Sequence, residues 1–131
     1  MAGLVLKLGP RERFLINGAV IENGIRRSRI NILSPNVNIL RLRDAIHPED
    51  ADTPVGRVCY LAQLVLAGDR RPEEVGEYLV QEIGRLTEIF SGSSGAESIL
   101  SALDFAKKGN FYQCLKSLRE LIPHEKNLLD G

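Results

Sequence analysis

The hydrophobic pattern changes its period once along this chain of 131 residues, at about residue 45. Before that point, short runs such as LVLKL and RFLI are rich in β-forming residues and are separated by turn signals. After it, apolar residues recur every three to four positions, as on one face of a helix. The sequence therefore predicts an α+β fold, with a small antiparallel β-rich basic region over residues 1–45 and a bundle of about four α-helices over residues 46–131, together one compact unit.

Two Asn-Gly dipeptides lie six residues apart in the segment INGAVIENG. A type I′ hairpin turn requires positive φ at both central residues, which Asn and Gly tolerate best. We therefore predict turns at Asn17-Gly18 and at Asn23-Gly24, which fold a three-stranded antiparallel meander whose last strand lies in IRRSRINIL. Alanine at either glycine should then be destabilising. A further turn is expected at SPNVN and a last strand at ILRLR.

Caps and stops divide the rest of the chain into helices. Thr53 and Pro54 are typical of an N-cap and a first helical residue, and Gly68 of a terminator. Ser94 and Glu97 have the spacing of a capping box. The predicted helices cover about 54–67, 72–90, 96–108 and 111–122, with the last one ending before a proline.

Seventeen basic and seventeen acidic residues cancel in number, but they are unevenly distributed. Residues 1–43 carry eight basic and two acidic residues, a net charge of +6, whereas residues 44–104 carry four basic and twelve acidic residues, a net charge of −8. This asymmetry indicates either an anionic partner for the basic part or attraction between the two parts.

The cluster RRSR is the strongest sign of a binding surface. Arginine forks bind phosphate oxygens bidentately and stack on exposed bases, which suits single-stranded RNA or RNA loops. Aromatic stacking platforms are nearly missing, because Phe14 is the one aromatic residue among the first 50. The alternative, a solvated strand face or pairing with the acidic helices, stays open. The candidate RNA-binding residues are Arg11, Arg13, Arg26, Arg27, Arg29, Arg41 and Arg43.

Catalytic, cofactor and metal sites are not predicted. His47 and His124 each lie beside a proline at a helix edge, and no nucleophile or paired carboxylate is evident beside them in the sequence. Cys59 and Cys114 are far apart and lie in apolar helical patterns, which predicts buried free thiols. No apolar run approaches the length needed to span a bilayer, and the N-terminus lacks a signal-peptide pattern. We therefore expect a cytoplasmic protein that is not an enzyme and does not enter a membrane.

Two separated motifs resemble one known family. LKLGPRERFLINGAVIENGIRR, followed by ADTPVGRVCYLAQ, is similar to the FlbT family of flagellin-biosynthesis regulators, which carry an INGAVIxNGxRR run and an ADTPxxRxxYxxQ segment in the same order. The resemblance implies a bacterial post-transcriptional regulator that associates with the 5′ untranslated region of flagellin mRNA and represses its translation or lowers its stability. It provides no RNA-contact residues, so the arginines above remain inferences from chemistry.

Other partners are compatible with the same sequence. The helical part is an alternative interaction module, which would bind flagellin or another flagellar protein and affect the mRNA indirectly. Arg57, Tyr60 and Gln63 share one flank of the first long helix and form either an anchor between helix and sheet or a partner surface. Exposed sheet edges could also pair into a homo-oligomer.

Overall fold

A computed structural model describes residues 4–34 and 37–130 of the protein. The strands are β1 Leu4–Leu8, β2 Arg13–Ile16, β3 Ala19–Glu22, β4 Ser28–Ile32 and β5 Ile39–Arg41. Two short 3₁₀ turns, Leu42–Asp44 and Pro48–Asp50, lead to α1 Pro54–Leu66, α2 Pro72–Ile89, α3 Ala96–Lys107, α4 Phe111–Arg119 and α5 Ile122–Asp130. Antiparallel strands followed by helices confirm the predicted α+β class. Pro35 and Asn36 of the predicted SPNVN turn lie outside the described residues.

The strands form two antiparallel sheets rather than one meander. In the first sheet β1 pairs with β4, and in the second β2 lies between β3 and β5. The predicted three-stranded meander is therefore wrong, because its expected third strand leaves β3 and pairs with β1. That pairing sets Ile30 and Ile32 opposite Leu6 and Leu4, so apolar side chains of both strands share the inner face.

The first Asn-Gly pair is the hairpin turn that was predicted. Asn17 has φ 49° and Gly18 has φ 85°, so both central residues lie in the left-handed region that a type I′ turn requires. The turn joins β2 to β3 and brings Gly18 close to the C-terminal end of α1, where a Cβ on this glycine would lie 3.4 Å from the Ala67 carbonyl oxygen.

The second Asn-Gly pair has a different role from the predicted one. Neither Asn23 nor Gly24 has positive φ, so the pair ends β3 without forming a hairpin. The Asn23 side chain instead donates from Nδ2 to the carbonyl oxygens of Gly9 at 2.6 Å and Arg26 at 3.0 Å, and its Oδ1 accepts from the Ser28 hydroxyl at 2.8 Å. This network holds the loop before β4 against the turn after β1.

The helices α1 and α2 begin and end close to the predicted residues. Thr53 Oγ1 accepts the Gly56 N–H at 3.0 Å, Pro54 is the first residue of α1, and Gly68 follows its end with φ 85°. The predicted apolar stripe of α2 is buried throughout, at Val75, Leu79, Ile83, Leu86 and Phe90. Local patterns were sufficient here because caps and stripes depend on neighbours in sequence.

Two predictions for the C-terminal third need correction. Ser94 does not cap α3, which begins at Ala96 without a side-chain cap, and its hydroxyl lies 2.9 Å from His124 Nδ1 instead. Pro123 does not stop the helical part, because it is the second residue of α5. Proline is tolerated in the first turn of a helix, where its missing N–H would have no intrahelical partner.

Hydrogen bonds between distant residues tie the strand-rich part to the helices. The Gln63 side chain of α1 accepts the Ile46 N–H at 2.7 Å and donates to the Ile46 carbonyl oxygen at 3.2 Å. Arg119 of α4 donates to the Asp44 carbonyl oxygen at 2.7 Å. The bond from Arg119 to Asp44 crosses residue 45, and the bonds from Gln63 hold the first residue after it. The division into regions 1–45 and 46–131 stays a prediction.

The two glycines of the Asn-Gly pairs provide a matched pair of substitutions. We expect Gly18→Ala to lower the free energy of unfolding by about 1 kcal/mol, because alanine is strained at φ 85°. Gly24→Ala should change it by less than about 0.5 kcal/mol, because Gly24 has no positive φ and nothing within 4 Å of an added Cβ. Urea denaturation measures both values, and equal losses would contradict this assignment.

Candidate nucleic-acid interface

The outer face of the β1–β4 sheet sets two cations opposite each other. The strand register pairs Lys7 with Arg29, and both residues are exposed, while Leu6 and Leu8 point into the core. Like charges directly opposite each other destabilise an antiparallel sheet. An anion that lies between the two side chains would relieve this repulsion, so the pair is suited to binding negative charge.

An open groove of about 580 Å³ adjoins this pair. The end of β1 and the following turn form one wall, and the start of β4 and the first 3₁₀ turn form the others. The groove is lined by Lys7, Leu8, Gly9, Pro10, Arg27, Ser28, Arg29 and Arg43. Four of these side chains are cationic, and none of the described lining residues is acidic. A concave surface of one charge sign concentrates its field, and arginine forks match phosphate oxygens.

Three of the predicted arginines meet in this groove, namely Arg27, Arg29 and Arg43. They come from a loop, a strand and a 3₁₀ turn, so tertiary structure brings them together. Lys7 is a fourth member that was absent from the predicted site. The run LVLKL shows a cation on a strand, but it does not show that β4, with Arg29, is the pairing partner.

The remaining exposed arginines of the predicted set are not among the lining residues of the groove. Arg26 is exposed in the loop before β4. Arg11 lies in the turn between β1 and β2 with φ 58°. Arg13 forms an exposed ion pair with Glu22 at 2.9 Å, which occupies part of its guanidinium. The structure therefore divides the exposed arginines of the predicted set into residues that line the groove and residues that do not.

Arg41 lies inside the protein and is corrected from a candidate RNA contact to a structural residue. Its side chain is 6% exposed, and its Nε and Nη2 donate to the two carboxylate oxygens of Glu12, each at 2.7 Å. Nη2 also donates to the Lys7 carbonyl oxygen at 2.6 Å. Glu12 in turn accepts the Gly9 N–H at 3.0 Å. A guanidinium held in this way is not available to a phosphate.

The ionisation of these groups reflects the same contacts. The hydrogen bond from Arg41 lowers the pKa of the Glu12 carboxyl, although burial opposes this effect. The hydrogen bond to Glu12 correspondingly raises the pKa of Arg41. Burial raises the pKa of Tyr112, while the positive charge of Arg41 works in the opposite direction. The clamp formed by Arg41 and Glu12 therefore stays charged at neutral pH.

The predicted flank of α1 with Arg57, Tyr60 and Gln63 contains both a residue that holds the fold together and a residue exposed to solvent. Gln63 holds the backbone of Ile46, as expected for an anchor between α1 and the segment that leaves the sheet. Tyr60 is half-buried against the core. Arg57 is exposed and donates to the Asp52 carbonyl oxygen at 3.3 Å. Whether these residues also contact a partner stays a prediction.

Residues with reactive chemistry lie apart from the groove. Cys59 and Cys114 are buried free thiols, as predicted, and burial raises the pKa of each to about 12. The hydrogen bond between Ser94 and His124 was not expected from the sequence, and no carboxylate in the described part of the chain hydrogen bonds to this His.

Over residues 4–34 and 37–130, no group of three or more His, Cys, Asp or Glu residues is arranged to hold a metal ion. No described helix has the length and apolar character needed to cross a membrane.

The fold and the groove define a small α+β protein with a cationic surface on its first sheet and an acidic helical part. Comparison with known families places it more closely: the family model for the flagellar protein FlbT matches residues 4–129. The chain therefore belongs to the FlbT family, which confirms the family predicted from the two motifs.

Several relatives match over most of their length. A probable flagellum biosynthesis repressor protein FlbT 1 from Bradyrhizobium diazoefficiens is 35% identical over 127 residues, covering 95% of this chain and 84% of the relative. A probable repressor of the same name from Rhodopseudomonas palustris is 32% identical over 127 residues, covering 96% and 97%. The flagellum biosynthesis repressor protein FlbT of Caulobacter vibrioides is 24% identical over 126 residues, covering 96% and 89%. No solved structure matches this chain.

The clamp predicts a loss of stability when its cation is removed. Arg41→Met leaves the largely covered Glu12 carboxylate, whose side chain is 12% exposed, without its main ion-pair partner, so we expect the free energy of unfolding to fall by about 2 to 3 kcal/mol. Arg43→Met removes an exposed charge 4.0 Å from the same carboxylate and should cost less than about 0.5 kcal/mol. Urea denaturation of both variants at neutral pH tests the difference, and similar losses would argue against the clamp.

The clamp also predicts a dependence of stability on pH. The pKa of Glu12 is lower in the folded protein than its ordinary value of 4.5, so its contribution is present above that value and is lost as pH falls through the lower folded pKa. Glu12→Gln should therefore reduce the loss of unfolding free energy on going from neutral pH to about pH 3. Urea denaturation of both proteins at the two pH values measures this, and an equal loss in wild type and variant would contradict the role of Glu12.

Proposed function

We propose that this protein is an RNA-binding, post-transcriptional regulator of flagellin synthesis. In this proposal it associates with the 5′ untranslated region of flagellin mRNA and lowers translation or stability of the message, without catalysing a reaction. The names of its relatives, as flagellum biosynthesis repressors, support a regulatory role in flagellar synthesis. The observation that carries the RNA-binding part is the cationic groove between β1, β4 and the first 3₁₀ turn.

Phosphate contacts would dominate this interaction. The groove supplies four cationic side chains, and the arginines among them can bind phosphate oxygens bidentately. The aromatic residue of the strands, Phe14, is 2% exposed and packs in the core, so it offers no surface on which a base could stack. Backbone contacts set affinity and orientation, whereas sequence is read by contacts to bases. Affinity from this groove should therefore depend strongly on salt.

A variant of the groove tests this proposal against a control that removes the same number of positive charges elsewhere. We expect Arg27→Ala/Arg29→Ala/Arg43→Ala to weaken binding to the flagellin leader RNA. The slope of log K against log salt should become smaller in magnitude by about 2, because three phosphate contacts are lost. The control Arg70→Ala/Lys107→Ala/Lys126→Ala removes three exposed cations from the helical part and should retain affinity and slope.

Two measurements decide the outcome. A mobility-shift titration at several salt concentrations gives the affinity and its slope for wild type, groove variant and control. A shuffled RNA of the same length and composition distinguishes recognition of the leader from general attraction to RNA. If wild type does not bind the leader at low salt, RNA binding is wrong, and if both triple variants lose affinity equally, binding does not localise to the groove.

A second candidate is a protein-interaction module in the helical part, directed at flagellin or another flagellar protein. It is favoured by a groove of about 780 Å³ between α2 and the α3–α4 connection. Val80, Ala106 and Phe111 line it with apolar surface, and Glu73 and Glu77 line it with negative charge. Co-purification after nuclease treatment separates the candidates: a complex that survives digestion and is lost in Glu73→Lys/Glu77→Lys favours the protein partner.

A further inference from the structure

Strand β3 forms one edge of the second sheet and is exposed along its whole length. The strand order is β3-β2-β5, so one side of β3 has no neighbouring strand in the described structure. All four residues from Ala19 to Glu22 are exposed, with Val20 at 69% and Ile21 at 36%. An exposed edge strand presents unpaired N–H and C=O groups and is a template for pairing with another strand.

The apolar side chains of this edge lie on both faces of the sheet. Val20 pairs with Leu15 and Ile21 pairs with Phe14, and successive strand residues point to opposite faces. Burial decreases outward across the sheet, from Leu40 at 3% through the partly buried Leu15 to the exposed Val20. A partner seated on one face would cover only one of the two exposed side chains, whereas an added strand would flank both.

Charge repulsion does not oppose an identical strand as the neighbour of β3. Glu22 is the single charged residue of the strand, and it is paired with Arg13 of the same chain at 2.9 Å. Two copies of β3 that run antiparallel bring their Val20 and Ile21 residues together and set the two Glu22 residues at opposite ends. This arrangement sets no like charges opposite each other, which is the condition that cross-strand pairs require.

The edge is already held in position for pairing. The turn that begins β3 is fixed by the left-handed conformations of Asn17 and Gly18. Asn17 also exchanges hydrogen bonds with Asn38, from its N–H to the Asn38 carbonyl oxygen at 2.8 Å and from the Asn38 N–H to its own Oδ1 at 3.0 Å. A strand that is ordered before association loses less conformational entropy on binding.

We propose that β3 is a homodimer interface, at which β3 of a second copy pairs antiparallel and joins two three-stranded sheets into one of six strands. The contact is isologous, because the same strand serves both copies about a two-fold axis. The basic loop with Arg26 and Arg27 follows β3 directly, so the two-fold axis sets these loops at opposite ends of the joined strands. The dimer presents two cationic grooves, and its formation does not depend on the RNA-binding proposal.

The molar mass in solution tests the interface. Because the pairing strand has only four residues, we expect an association that depends on protein concentration. The molar mass measured by light scattering should therefore rise with concentration from 14.5 kDa toward twice that value. Val20→Lys adds a charge to the open edge, the device by which natural edge strands avoid pairing, and should stay monomeric. Val5→Lys, on the exposed face of β1, is the matched control and should associate like wild type.

Two results would contradict the β3 dimer. A wild-type mass that stays at the monomer value up to about 1 mM protein overturns the proposal, because any dimer would then be weaker than a millimolar complex. A dimer that persists in Val20→Lys, or that Val5→Lys disrupts equally, places the interface elsewhere. Circular dichroism of the variants verifies that each remains folded.

Oxidative cross-linking provides an independent measurement. Cys59 and Cys114 are buried, so a cysteine introduced at the surface supplies the accessible thiol. Val20→Cys or Ile21→Cys should give a covalent dimer under mild oxidation in higher yield than Val5→Cys, because two-fold pairing brings the β3 residues together. Equal yields from all three variants would contradict the proposed pairing.

Discussion

The ion pair between Arg41 and Glu12 joins elements that share no strand pairing. Arg41 ends β5 of the second sheet, Glu12 lies in the turn after β1, and the same guanidinium donates to the Lys7 carbonyl oxygen of β1. The pair therefore connects the two sheets across the turn between β1 and β2. A buried ion pair offers little net stability over apolar residues of similar volume, but a buried charge without its partner is costly. The arrangement thus favours one relative position of the sheets.

The cationic groove depends on that position. Lys7 lies on the strand that Arg41 holds by its backbone, and Arg43 follows Arg41 by two residues in the first 3₁₀ turn. On the other wall, Asn23 fixes the loop that leads to Arg27 and Arg29 through hydrogen bonds to Gly9 and Ser28. Four exposed cations in one concave surface repel each other, so a scaffold of hydrogen-bonded polar groups is needed to keep them together. The same repulsion is the energetic reason for an anionic ligand.

The helical part has a different physical character. Its helices carry continuous apolar stripes, and its exposed face holds most of the acidic residues of the chain. Specific hydrogen bonds, from Gln63 to Ile46 and from Arg119 to Asp44, join it to the segment that leaves the sheet. Charge attraction between a basic sheet and acidic helices is therefore not needed to explain their association, and the exposed arginines of the groove remain open to solvent.

The sequence-based predictions were correct for features that depend on residues close together in the sequence, and wrong for features that depend on residues far apart. The ends of α1, the stripe of α2 and the turn at Asn17-Gly18 depend on residues within a few positions, and all were predicted correctly. The turn at Asn23-Gly24 was not, because its side chain found partners at Gly9 and Ser28 that outweighed the local preference for a hairpin. The cap at Ser94 failed similarly, since its hydroxyl bonds to His124 thirty residues away.

The amino-acid sequence by itself determined the α+β class, the bounds of α1 and α2, the first hairpin, the buried cysteines and the family. It also located the basic residues, but it did not show which of them share a surface. Tertiary structure alone decided that β4 pairs with β1, that Lys7 faces Arg29, and that Arg41 is buried while Arg43 is exposed. The physical reason is that strand partners and buried ion pairs are chosen by contacts between residues far apart in the chain, which no local pattern of hydrophobicity or charge encodes.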